Sequence, residues 1–180
     1  MGVNRISLFL SIALFALLSI GITNASLTIT SNTITTPIDY PQNAIYEITD
    51  ISGGVLPYTF NAYIAASPNS LTINGASVSL PVFLGSNTFS PSATYNAIII
   101  TINSLSTNSI LITAYNGIVG AANVLFSNTI STGTSTIYGS WTFNAFFADS
   151  TGASANTISS SNTLTINPTP TITLTPSNTV

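Results

Sequence analysis

The chain has 180 residues, 45% of them apolar, and only 3% are charged; it contains no cysteine and no histidine. Its charged residues are Arg5, Asp39, Glu47, Asp50 and Asp149, for a formal net charge of -3 at pH 7. One cation cannot neutralise a run of phosphates or anionic headgroups, which excludes nucleic acid and charged lipid surfaces as partners, and the absence of cysteine excludes disulfides and thiolate chemistry.

Residues 1–25 begin Met-Gly-Val-Asn-Arg, continue in an apolar run from Ile6 to Ile22 and end Thr23-Asn24-Ala25. A cation, an apolar stretch and small residues at a cleavage point form the pattern of a secretory signal peptide. Retained, the run is an uncleaved anchor and the only membrane contact; either outcome sends the remainder outside the cytoplasm, to the cell surface or the extracellular space. From Ser26 onward the polarity comes from hydroxyls and amides, with Ser and Thr together supplying about 30% of the chain.

That remainder alternates with the period of a β-strand. Ser26–Thr35 sets Leu27 and Ile29 against Thr28 and Thr30. Asn43–Ile51 puts Tyr46 and Ile48 on one face and Ile45, Glu47 and Thr49 on the other. After a break at Ser52–Pro57, Tyr58–Ala65 aligns Tyr58, Phe60, Ala62 and Ile64. Asn74-Gly75 and Asn116-Gly117 each predict a two-residue hairpin turn. The first would join Ser70–Ile73 to Ser77–Leu84, the second Ser109–Tyr115 to Ile118–Phe126. Ile98-Ile99-Ile100 within Tyr95–Ile102 reads as a strand covered on both faces. Ser140–Ala148 aligns Trp141, Phe143, Ala145 and Phe147 against Thr142, Asn144 and Phe146. Asp149–Gly152 is a turn, and Thr157–Ile166 is the last full strand. No window shows a helical repeat, which points to a sandwich or barrel; variable strand lengths and mid-strand aromatics favour the sandwich over a transmembrane barrel.

Residues 168–180 form a Pro/Thr-rich tail. Its end, Thr171–Val180, resembles Leu27–Ile34, and Ser-Asn-Thr recurs at 31, 86, 127, 161 and 177. The tail therefore reads as the first strand of a truncated next repeat, an edge able to pair with a neighbour.

Three stretches resemble the immunoglobulin-like repeats of bacterial and archaeal surface proteins, including adhesin-type repeats. They are Ser52-Gly53-Gly54-Val55-Leu56-Pro57-Tyr58-Thr59-Phe60, Gly139-Ser140-Trp141-Thr142-Phe143-Asn144-Ala145 and Ala148-Asp149-Ser150-Thr151-Gly152-Ala153. The resemblance implies an all-β, immunoglobulin-like antiparallel β-sandwich over residues 26–167, preceded by the signal helix. It also implies a spacer or adhesive role without a catalytic site. The family often carries Trp about where Ala62 stands, a space that Trp141 would have to fill from another strand. The stretch 67–138 is longer than the family's and implies extra hairpins or a small subdomain.

Without His, Cys or Lys there is no catalytic triad, zinc site or Schiff base to assign. No catalytic, cofactor or metal residue is therefore assigned, and the chain is expected not to be an enzyme. Glu47 and Asp50 are expected on opposite faces of one strand. Asp39, Asp50 and Asp149 are the candidate calcium ligands, with Asp149 reading rather as a turn residue. Tyr40, Tyr63, Tyr95, Tyr115 and Tyr138 are the candidates for a sugar platform, against packing at the core or strand edges. Asn24-Ala25-Ser26 is the one N-glycosylation acceptor pattern, and it straddles the cleavage point. The leading expectation is a structural or adhesive surface module associating with itself or other surface proteins through strand edges; the alternative is a carbohydrate- or protein-binding module using exposed aromatics.

Overall fold

The computed structural model describes residues 25–73, 75–91, 96–153 and 156–171; the leader, Asn24, Asn74, Tyr95 and the tail beyond residue 171 lie outside them. Twelve strands carry the described chain: β1 (Ser31–Ile34), β2 (Ile38–Asp39), β3 (Ala44–Thr49), β4 (Tyr58–Ala66), β5 (Leu71–Ile73), β6 (Ala76–Val78), β7 (Val82–Phe89), β8 (Ala97–Ser106), β9 (Ser109–Asn116), β10 (Val124–Ser131), β11 (Gly139–Ala148) and β12 (Thr157–Asn167). They form a seven-stranded sheet, β1-β3-β8-β9-β10-β5-β6, and a five-stranded sheet, β2-β12-β11-β4-β7. The two face each other as a sandwich with a filled interior. Among the described residues no helix is long and apolar enough to cross a membrane.

Alternation decides which side chains fill that interior. In β4, Tyr58, Phe60, Ala62 and Ile64 are buried; in β11, Trp141, Phe143, Ala145 and Phe147 are; in β3, Ala44, Tyr46 and Ile48 are. Ile98, Ile100 and Ile102 of β8 and Ile110, Ile112 and Ala114 of β9 complete the seven-stranded side. Ile99 is only half-buried, so β8 is covered fully on one face rather than both.

Both Asn-Gly expectations need correction. In the first, β5 and β6 pair as the expected hairpin, with Ile73 opposite Ala76, but the second strand stops at Val78. The chain then crosses at Ser79–Pro81 to the other sheet, so the expected strand Ser77–Leu84 is two elements. Proline has no N–H to continue a ladder, so the break falls where the sheet changes. At Asn116-Gly117 there is no two-residue turn. Residues 117–123, including a 3-10 turn at Ala121–Asn123, connect β9 to a strand that starts at Val124, not Ile118. The tight connection in this region is instead Thr107-Asn108, with Ser106 opposite Ser109. The long stretch 67–138 supplies β5, β6, β8, β9 and β10 to the seven-stranded sheet and β7 to the five-stranded one, so its strands join the two layers and build no separate subdomain.

The recurring Ser-Asn-Thr tripeptide has a packing role. In β1, β7, β10 and β12 its asparagine falls at an inward position, opposite Ile48, Phe60, Ile112 and Phe143 respectively. Three of these amides bond across the sandwich: Asn32 to Ser160 Oγ at 2.5 Å, Asn87 to the Leu125 carbonyl at 3.0 Å, and Asn128 to the Leu84 carbonyl. Tyr46 Oη also meets Ser160 Oγ, so one buried hydroxyl on β12 anchors two strands of the facing sheet. The fourth amide, Asn162, has its Nδ2 buried without a partner.

Opposite these strands a row of small residues crosses the five-stranded sheet: Ser160, Ala145, Ala62 and Gly85 lie in register. Larger groups from the facing sheet occupy the space above them. Tyr46 reaches Ser160, and Phe126 lies against Gly85, where an added Cβ would come within 2.6 Å of the ring. Trp141 does not fill the space over Ala62, because it lies four residues before Ala145, about 13 Å along β11. Gly85→Ala is expected to cost about 1–3 kcal/mol. Combined with Phe126→Leu it should cost less than the sum of the two changes, which thermal denaturation of the single and double variants would measure.

Candidate functional site

The four carboxylates are dispersed. Asp39 closes β2 at the lower end of the sandwich, where its Oδ1 accepts from the Asn167 amide at 3.2 Å. Glu47 lies on β3 opposite Thr33 and Ile99, on the outer face of the seven-stranded sheet. Asp50 is exposed just past β3 with φ +56°, so the alternation that would set it against Glu47 has already ended. Asp149 is buried beyond β11 at the upper end. The structure therefore does not bring Asp39, Asp50 and Asp149 together, and among the described residues no three acidic, His or Cys side chains are gathered for a metal.

The Asp149 environment joins two of the stretches that carried the family resemblance. Its Oδ2 accepts the Val55 N–H at 2.9 Å; its Oδ1 accepts the Thr151 N–H at 3.0 Å and the Thr151 hydroxyl at 2.5 Å. The Ser150 N–H reaches the Val55 carbonyl at 2.9 Å and its hydroxyl the Leu56 carbonyl at 3.1 Å. The loop can lie this close because position 54 is glycine. Its φ is +63°, and a Cβ there would meet Asp149 Oδ2 at 3.0 Å. Burial pushes the Asp149 carboxyl up, but the Thr151 hydroxyl, the Val55 and Thr151 N–H groups and the Asn156 amide outweigh it and hold it below the usual carboxylate range. Burial, and behind it the Asp149 charge, in turn raises the Tyr58 phenol, which donates to the Gly53 carbonyl. With its oxygens met by donors from the loop and its own turn, Asp149 acts as a clasp.

The nominated tyrosines separate into different environments. Tyr40 and Tyr138 pack edge to face, with ring centroids 6.0 Å apart, against the margin of the core. Tyr115 is half-buried on β9, opposite Ile99. Tyr63 is different. It stands on the outer face of the five-stranded sheet between Phe83 of β7, at 5.3 Å and 52°, and Phe146 of β11, at 5.6 Å and 83°. Phe83 and Phe146 are 50% and 43% exposed, unusual for phenylalanine. In the sequence only Phe146 signals this position, since it interrupts the polar face of its own strand. A shallow depression of about 610 Å3 also lies along residues 67–71 and 78–80, lined by hydroxyl, amide and apolar side chains with no ionisable group.

No protein-family model, no curated protein and no solved structure matches the chain.

Proposed function

We propose that the chain is a non-catalytic, immunoglobulin-like module of an exported surface protein, and that its work is mechanical: spacing and lateral packing at the cell exterior. The observation that carries this reading is the path of the chain. Thr28 bridges Ser52 at the upper end, whereas Asn167 pairs with Asp39 at the lower end. Entry and exit are thus separated by the length of β12, 11 residues or about 36 Å. A module entered at one pole and left at the other transmits tension along its strands and can be joined in line.

Strand adjacency supports the immunoglobulin-like assignment. The last two strands pair with β4 in the order β12-β11-β4, while β3 crosses to the other sheet and pairs with β8. These match the G-F-C and B-E neighbours of that fold, with the β9–β10 hairpin inserted beyond β8. The clasp between loop 53–56 and turn 149–152 joins two of the stretches through which the sequence resembles surface repeats. The apolar leader supports export, and the near absence of charge supports close lateral packing, since little repulsion separates neighbouring copies. Fractionation of native cells, with antibody labelling of intact cells, is expected to place the chain outside the cytoplasm. Recovery with cytoplasmic markers and no labelling would reject the reading.

A further inference from the structure

Across β12, β11, β4 and β7 the outward side chains of the five-stranded sheet are aromatic, hydroxyl, amide or alanine, and none is charged. Tyr63 sits within this field with Phe83 against it on one side and Phe146 on the other. Asn144 is directly opposite Tyr63 and two residues before Phe146 on the same face; its Oδ1 is buried and accepts no hydrogen bond. Asn61 and Ser159 flank Phe146, Ser161 is paired with Asn144, and Ser86 is paired with Asn61.

We propose that this face is a binding site for a neutral polysaccharide, with pyranose rings stacking on Phe83, Tyr63 and Phe146. Three features choose this occupant. A sugar ring offers a patch of C–H groups, which the negative face of an aromatic ring attracts, and hydroxyls that both donate and accept. The surroundings match the second requirement, because Asn and Ser side chains supply donors and acceptors within one side-chain length of the rings. The neutral field gives nothing to a charged partner. Size argues against a protein. If a phenylalanine offers about 200 Å2, the exposed fractions of Phe83 and Phe146 leave only about 200 Å2 of ring. A stable protein interface buries about 800 Å2 per side around an apolar centre, and here the apolar part is the rings alone, whereas two or three sugar units need little more than the rings provide. The ring planes are inclined to one another by 52° and 83°, so the platform fits a single twisted chain rather than a flat crystalline surface. The inference does not depend on the spacing role, which concerns the ends of the sandwich, and it assigns this one face to sugar, leaving lateral packing to the rest of the surface.

The test is native affinity electrophoresis of the full chain in gels containing mannan, laminarin or xyloglucan, with polygalacturonate as the charged comparison and light scattering in parallel. Retardation is expected on at least one neutral polymer and unchanged by added salt. Phe83→Ala and Phe146→Ala should each weaken it about tenfold at an unaltered melting temperature, while Phe146→Tyr retains it. Four results would each overturn the proposal: no retardation on any neutral polymer, retardation on polygalacturonate alone, equal retardation of both alanine variants and the parent, or a dimer that Phe83→Ala dissolves. The last would assign the face to a second copy.

Discussion

Trp141→Ala is expected to lower stability by about 3–5 kcal/mol, a large share of the roughly 5–15 kcal/mol that holds a domain folded. Trp141 is fully buried, and its Nε1–H donates to the Ile137 carbonyl at 2.8 Å. The alanine variant loses the packing of the largest side chain in the core and also strands that carbonyl in the interior. The effect extends beyond the cavity. The connection 132–138 is tied down at its start by Thr132 N–H to the Asn108 carbonyl at 2.9 Å and the Asn108 amide to the Gly133 carbonyl at 2.6 Å, and at its end by Ile137 N–H to the Thr107 carbonyl at 2.8 Å, the Asn69 amide to the Thr136 carbonyl at 2.7 Å, and the indole. Without the indole, amide exchange in residues 133–138 should accelerate more than in β4 or β12. Trp141→Phe keeps a ring but not the donor, so it should fall between parent and alanine. Thermal denaturation followed by circular dichroism measures all three; an alanine variant within about 1 kcal/mol of the parent would mean that the core closes around the gap.

What the sequence made legible follows from the range over which each signal acts. β4 and β11 were readable because alternation is local: Tyr58, Phe60 and Ile64, like Trp141, Phe143 and Phe147, declare their own face. Pairing partners are not local. Nothing in Ser77–Leu84 states that Ala76–Val78 will bind β5 while Val82 onward binds β4 in the other sheet. An Asn-Gly pair also permits a tight turn without requiring one, and at 116–117 the longer connection won. The inward asparagines were hidden for a related reason. Asn32, Asn87 and Asn128 look like surface polars until the facing sheet supplies Ser160 and the carbonyls of Leu125 and Leu84. The aromatic face was half-legible, since Tyr63 was a candidate while the rings that complete it come from β7 and β11, 20 and 83 residues further on.

The second large effect concerns acid. Asp149 is held below its ordinary range in the folded chain, so its contribution is complete above the unfolded carboxylate value of about 3.9 and is lost as pH falls through the folded value. The melting temperature of the parent should therefore be level from neutral pH down to about pH 4 and drop below it. Asp149→Asn replaces one acceptor oxygen with a donor that must face either the Val55 N–H or the two donors of Thr151. That variant should melt several degrees lower at neutral pH, with a nearly flat profile into acid, because the group that senses the protons is gone. With so few carboxylates in the chain, the two curves should converge once the pH has fallen below the folded value of Asp149. A variant that starts low and still falls in parallel with the parent would show that the acid response belongs to another group and that the clasp is held by the contacts of Ser150 and Gly54 alone.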